Sequence, residues 1–171
     1  MLKIAAFVAV ITMLGLQCVP RANGAAERSM VALGEEPLAV IVNKSNPVDD
    51  LSSAELRKIF LAERRTWPGG RKITVVMREP GQTERETMLK LICRMNDSDF
   101  NKYFLQLSFT GESQATPKVL ATAGGMLRFV FNVPGAIGYV RAAELDASVK
   151  AIRVDGRAPG DSLYRLKLPQ R

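Results

Sequence analysis

The chain has 171 residues, a formal net charge of +7 and no histidine. This length suits one domain with a hydrophobic core. Because histidine is absent, Ser–His and Cys–His nucleophile pairs are excluded and transition-metal sites are disfavoured. We therefore expect no enzymatic activity, no cofactor and no metal. The basic charge favours anionic ligands, but no dense basic block with interleaved aromatic residues occurs, so nucleic acid is not an expected partner.

The first residues have the pattern of a secretory signal. Lys3 precedes an apolar run over residues 4–16, which is shorter than the roughly 20 residues needed to span a bilayer. Small residues around Ala25 indicate cleavage before that residue. We predict a signal peptide over residues 1–24, a flexible lead-in over residues 25–36 and one domain over residues 37–171. The mature protein would be periplasmic and without a membrane span.

Two cysteines leave alternatives open. Cys18 suggests a lipid anchor, although Gln17 stands where lipidation requires a small residue; an uncleaved anchor is a further alternative. After cleavage only Cys93 remains, so no intramolecular disulfide can form. Its apolar neighbours predict a buried thiol, with an intermolecular bridge as the alternative.

The first half of the domain reads as strand, helix and loop. A continuous apolar run predicts a buried strand over residues 38–43. Ser52 and Glu55 have the spacing of a capping box, which predicts a helix over residues 53–62. A basic loop follows, and its single tryptophan, Trp67, is either a lid over the core or a platform for a ligand.

The most informative stretch is the next strand, turn and helix. Alternating β-branched residues predict a strand over residues 73–77. Glu79 to Gln82 break it, and a helix over residues 84–95 follows, with Thr83 and Glu86 spaced as a capping box. A helix N-terminus offers free N–H groups and partial positive charge.

Two arginines flank this turn. Arg78 ends the strand and Arg85 lies in the first helical turn, so their guanidinium groups suit an oxyanion site. The alternative is an ordinary solvated junction in which the arginines pair with Glu79, Glu84 or Glu86.

The second half continues the alternation of strands and helices. We predict a capped aromatic helix over residues 98–107, a helix over 125–132, and strands over 136–140 and 149–154. Thr116–Pro117 suits a helix start, but Gly124–Gly125 would weaken a helix that continued through them, so a loop or single turn is predicted before the helix at 125. Residues 110–113 read as a turn, 141–145 as a helical turn and 155–171 as a surface tail. The fold class is α/β, a mostly parallel sheet flanked by helices on both faces. Ligands of such folds bind at the carboxyl ends of strands, which places Asn43–Ser45 and Arg78–Thr83 on one edge.

Three blocks of the sequence occur together: Val133–Val140 reads VPGAIGYV, Leu51–Leu61 is the predicted helix ahead of Trp67, and Ile73–Arg78 is the predicted strand ending in an arginine. Together they resemble the periplasmic phosphate-binding proteins of ABC transporters, whose domains have the type 2 periplasmic-binding-protein-like fold. In that family the strand ends in a phosphate-binding arginine. The resemblance implies a single lobe of that fold. It also implies an oxyanion site at Arg78, Gly81 and Thr83, with Gln82 between them and Arg85 beside them.

Two departures qualify what the resemblance implies. Relatives with a full cleft have two lobes, and their loop carries Gly-Ser-Gly-Thr after the arginine, whereas here Pro80 to Glu84 follow. The expected function is that of an exported solute-binding protein that binds inorganic phosphate or a similar oxyanion weakly. The alternative is an interaction or sensor module, with a protein partner or a second copy bound to the face of the missing lobe.

Overall fold

The computed structural model describes residues 35–110 and 116–169. The predicted signal peptide, nearly all of the predicted lead-in and most of the predicted turn at residues 110–113 therefore lie outside the described residues. No helix in the described part of the chain is long and apolar enough to cross a bilayer.

A five-stranded sheet forms the centre of the domain, with the strands in the order β4-β3-β5-β1-β6. A small parallel pair, β2 with β7, lies apart from it. The strands are β1 Leu38–Val42, β2 Asp50–Leu51, β3 Thr74–Arg78, β4 Lys118–Leu120, β5 Ala136–Arg141, β6 Lys150–Ala151 and β7 Arg153–Val154.

One strand of the central sheet is reversed. The β3–β4 and β3–β5 pairs are parallel, whereas β1 is antiparallel to both of its neighbours. Four strands thus run in one direction, and the prediction of a mostly parallel sheet is confirmed. However, Leu38 pairs with Arg141 and Val42 pairs with Ile137. The carboxyl end of β1 therefore lies near the amino end of β3, on the opposite side of the sheet from the carboxyl end of β3. The prediction that Asn43–Ser45 and Arg78–Thr83 share an edge was wrong.

The helices lie close to their predicted positions. They are α1 Ser53–Phe60, α2 Thr83–Met88, α3 Asp97–Phe109 and α4 Ala123–Asn132; a π-helical turn, Leu89–Cys93, continues α2, and a 3-10 turn spans Ala142–Glu144. The capping box at α1 is confirmed, because Ser52 and Glu55 exchange the two expected hydrogen bonds.

Helices cover both faces of the sheet. One face carries the larger core, which contains Phe60 of α1, Met88 of α2 and Phe104 of α3. The other face packs against α4, where Met126 and Val130 are fully buried. Neighbouring residues of a strand point to opposite faces, so both faces of a strand are apolar here. This explains the continuous apolar run of β1 and confirms the predicted α/β class.

The predicted capping box at Thr83 and Glu86 was wrong. Gly81 adopts a positive φ of 82°, and the Gln82 N–H reaches the Glu79 carbonyl at 3.3 Å to close a turn. Gln82 is then extended and occupies the cap position without a side-chain bond. Thr83 is therefore the first helical residue and not the cap residue, so its hydroxyl does not occupy the capping position that the prediction gave it.

The segment after Thr116–Pro117 is a strand, so the prediction of a loop or single turn there was also wrong. This strand is β4, whose register pairs Lys118 with Val76 of β3. The following helix, α4, begins at Ala123, because the Thr122 hydroxyl accepts the Gly125 N–H at 3.0 Å and caps it.

The C-terminal tail was predicted as a surface segment, but part of it packs into the core. Tyr164, Leu166 and Leu168 are each at most 3% exposed. The Leu38 N–H donates to the Leu166 carbonyl at 2.9 Å, and the Tyr164 hydroxyl donates to the Leu38 carbonyl at 2.8 Å. The alternation of apolar residues at 164, 166 and 168 was the signal for this buried extended segment.

Candidate functional site

The candidate site lies where β3 ends and α2 begins, and we call it the Arg78 edge. It comprises the turn from Arg78 to Thr83, the first turn of α2 and the neighbouring end of β5 at Arg141. Gly81 is exposed, and a side chain there would meet open space, so its positive φ is the feature that requires glycine.

Arg78 is the least satisfied charged group at this edge. Its residue is 9% exposed, and its N–H donates to the Tyr139 hydroxyl at 3.1 Å. Its guanidinium Nη1 is buried without a hydrogen-bond partner among residues 35–110 and 116–169. Tyr139 is fully buried, and burial raises the pKa of its hydroxyl far above the ordinary value. The Tyr139 hydroxyl therefore stays neutral and fixes the main chain of Arg78.

Arg85 is buried and paired within the protein. It is 3% exposed, and its Nε donates to Asp97 Oδ1 at 2.6 Å. Its Nη1 donates to the main-chain carbonyl of Arg78 at 3.0 Å. The guanidinium also lies 5.4 Å from the ring centre of Phe100. Arg85 thus supports the Arg78 edge through the main chain.

Sequence reasoning missed the contribution of Arg141 to this edge. Its Nε donates to Glu84 Oε1 at 2.5 Å and its Nη1 to Glu36 Oε2 at 2.7 Å. No local signal marked this residue, because β5 brings Arg141 to Glu84 through its pairing with β3, and Glu36 reaches Arg141 through the antiparallel pairing of β1 with β5.

Glu84 points into the edge and not away from it. Its side chain is 6% exposed, and its Oε2 is buried without a partner in the described chain. Burial raises the pKa of Glu84, but the bonds from Arg141 and its own N–H, together with the charges of Arg141 and Arg78, hold it below the ordinary value. The bond to Glu84 in turn raises the pKa of Arg141. The site therefore contains a carboxylate that is ionised at neutral pH.

The remaining predicted site residues lie at the rim. Gln82 and Thr83 are half-buried and Gly81 is exposed. The structure thus brings Arg78, Gly81, Gln82 and Thr83 together in one turn, and it places Arg85 behind that turn.

At the edge of the sheet opposite the Arg78 edge, where β1 ends, Trp67 and Asn43 make hydrogen bonds within the protein. Trp67 is 3% exposed, and its indole N–H donates to the Gly135 carbonyl at 3.0 Å. Asn43 donates to the carbonyls of Val130 and Phe131 at the end of α4. Of the two alternatives for Trp67, these contacts favour the lid over the core.

Cys93 is fully buried at the end of the π-helical turn, as predicted. Burial raises the pKa of its thiol to about 12, so it remains protonated at neutral pH. A protonated buried thiol is a poor nucleophile.

Comparison with known proteins agrees with the geometry. A family profile described as a PBP superfamily domain matches residues 15–167. The phosphate-binding protein PstS of Bacillus subtilis is 29% identical over 127 residues, which cover 71% of this chain and 37% of that protein.

Two solved structures are similar over the same part of the chain. A phosphate ABC transporter substrate-binding protein from Clostridium perfringens, described as putative and with bound phosphate, has a TM-score of 0.59 at 25% identity. An ABC-type phosphate transport receptor from Vibrio cholerae has a TM-score of 0.61 at 25% identity. The matches cover 72% and 74% of this chain but 47% and 49% of those chains. The resemblance to phosphate-binding proteins of ABC transporters is confirmed, and the chain belongs to the PBP superfamily.

Proposed function

We propose that this protein is an exported solute-binding protein that binds phosphate or a related oxyanion weakly at the Arg78 edge. The observation that carries this proposal is the buried Arg78 Nη1, which has no hydrogen-bond partner in the described chain. A buried charged donor without a partner is unfavourable. An oxyanion at the turn would supply the missing acceptor.

The distribution of charge favours Arg78 over its neighbours as the ligand-binding group. Arg85 is paired with Asp97, and Arg141 is paired with Glu84 and Glu36. Within the described residues, no ion pair involves Arg78. Arg78 is therefore the guanidinium of this edge that is available for a bidentate bond to an anion.

Two features support weak binding. The buried carboxylate of Glu84 is negative at neutral pH, and like charge opposes a second anion. In addition, the chain spans less than half the length of the relatives it matches. A site open on one side keeps water near the ion, and water weakens electrostatic attraction.

The experiment is a calorimetric titration of phosphate, sulfate and arsenate into the purified protein. Hydrogen bonds to charged groups contribute about 1.5–3 kcal/mol, so Arg78→Ala should weaken binding by roughly tenfold to a hundredfold. Thr83→Val should weaken it less, because it removes one neutral hydroxyl.

The matched control is Arg128→Ala. Arg128 is an exposed residue of α4, on the other face of the sheet, so its loss should not change the affinity. Equal affinity of the wild type and Arg78→Ala, with folding verified by circular dichroism, would contradict the proposed site. Sequencing of the N-terminus of the exported protein tests the predicted cleavage before Ala25.

The second candidate function is binding of a protein partner or a second copy. Leu105 and Phe109, one helical turn apart on α3, are 57% and 82% exposed, and exposed apolar patches often mark interaction sites. Light scattering of the purified protein and of Phe109→Ser tests it: a concentration-dependent dimer lost in the variant would support this function, and a strict monomer would count against self-association.

A further inference from the structure

A cleft separate from the Arg78 edge lies between the end of the π-helical turn, the turn after β7 and the C-terminal tail. Its volume is about 630 Å³. Six of its lining residues carry the argument, and we call this feature the arginine cleft: Leu91, Arg94, Asp155, Arg157, Leu163 and Arg165. None of them belongs to the Arg78 edge.

The arginine cleft has an excess of positive charge. Arg94, Arg157 and Arg165 are exposed, and in the ranges that the structure describes no ion pair involves any of them. The carboxylate among the lining residues, Asp155, is already bonded to the Ser53 N–H at 2.8 Å and to the Ser53 hydroxyl. Arg165 also lowers the pKa of the Asp155 carboxyl, but its effect is smaller than that of the Ser53 bonds, so the three guanidinium groups retain donors for external acceptors.

The same cleft exposes large apolar side chains. Leu163 is 62% exposed and Leu91 is 42% exposed, whereas Ile92 and Leu166 beneath them are buried. A surface that combines exposed leucines with arginines favours a ligand that offers both apolar contact and negative charge.

We propose that the arginine cleft binds an extended segment of a partner protein that carries acidic and large apolar residues on the same side. In an extended segment every second side chain points to the same side, so acidic and apolar residues at alternate positions face the arginines and leucines of the cleft together. Inorganic phosphate would satisfy the arginines but leave Leu163 exposed. A second copy is opposed by the net charge of +7 on this chain.

The test uses fluorescein-labelled short peptides in which every second residue is serine and the residues between are leucine and glutamate in turn. Matched leucine–glutamine and leucine–lysine peptides carry glutamine or lysine in place of each glutamate. We expect the leucine–glutamate peptide alone to bind, measured by fluorescence anisotropy, and its affinity to fall with added salt. Because exposed charge pairs contribute little individually, the double variant Arg157→Gln, Arg165→Gln should weaken binding about tenfold. Leu163→Ser should also weaken it.

Arg128→Gln is the control, and it should bind the peptide as the wild type does. The cleft variants should also retain the wild-type response to phosphate, so this test does not depend on the Arg78 edge. Equal binding of the leucine–glutamine peptide, unchanged binding by the double variant, or no binding of any peptide would overturn the proposal. Binding to phosphatidylglycerol vesicles without binding to the leucine–glutamate peptide would also overturn it, in favour of a lipid ligand.

Discussion

The guanidinium Nη1 of Arg85 donates to the main-chain carbonyl of Arg78 at 3.0 Å. The same side chain is anchored by Asp97 at the start of α3. One buried arginine therefore fixes the main chain of the other, and α3 is tied to the end of β3. Two residues that look equivalent in the sequence have different tasks. Arg85 is satisfied within the protein, whereas Arg78 Nη1 has no hydrogen-bond partner in the described part of the chain.

This division of tasks predicts that Arg85→Ala mainly destabilises the fold. The change leaves the Arg78 carbonyl and Asp97 without their donor, and loss of a buried charged partner should lower the free energy of unfolding by about 2–4 kcal/mol. Asp97→Asn should act in the same direction but less, since an amide oxygen still accepts. Urea denaturation measures both effects. Wild-type stability of Arg85→Ala together with lost phosphate binding would instead assign Arg85 to the ligand.

The buried indole of Trp67 leads to a second prediction. Trp67→Phe keeps a large aromatic ring but removes the donor to the Gly135 carbonyl, so stability should fall by about 1–3 kcal/mol. Phosphate affinity should not change, because the residue lies at the edge opposite Arg78. Thermal unfolding and calorimetry of the same sample separate the two effects, and a loss of affinity in the folded variant would restore the ligand-stacking alternative.

Local sequence patterns predicted most elements but not their arrangement. The capping box of α1 and the apolar run of β1 depend on neighbouring residues, and both could be identified. The reversal of β1 depends on pairing with β5, far along the chain, and no local pattern encodes it. This is why Asn43–Ser45 was assigned to the wrong edge. Arg141 was missed for a related reason, because it meets Glu84 only through the pairing of β5 with β3.

The lowered pKa of Glu84 gives a prediction about pH. Its folded pKa lies below the ordinary value of 4.5, so its charged form stabilises the fold above that value, and this contribution disappears as the pH falls through the folded pKa. Glu84→Gln should therefore be less stable than the wild type at pH 7, and the difference should close under acid. Denaturation curves across the acid range provide the measurement. A stability difference between the wild type and Glu84→Gln that persists well below the folded pKa of Glu84 would mean that the charge of the carboxylate does not stabilise the fold.

The last prediction concerns the same substitution and the ligand. Glu84 places a negative charge at the Arg78 edge, where Arg78 lowers its pKa. A bound oxyanion must therefore compete with this carboxylate for the arginines. Glu84→Gln removes the charge at nearly constant size, so phosphate affinity should rise about tenfold even though stability falls.

Glu79→Gln is the matched control for that experiment. Glu79 lies in the same turn but is exposed to solvent, where water and salt screen its charge, so its replacement should change phosphate affinity by less than about twofold. Both variants are titrated with phosphate at neutral pH beside the wild type. An unchanged affinity of folded Glu84→Gln would mean that the anion does not approach this carboxylate. Binding would then have to take place on the outer side of the turn, at Gly81 to Thr83, and not beside the unpartnered nitrogen of Arg78.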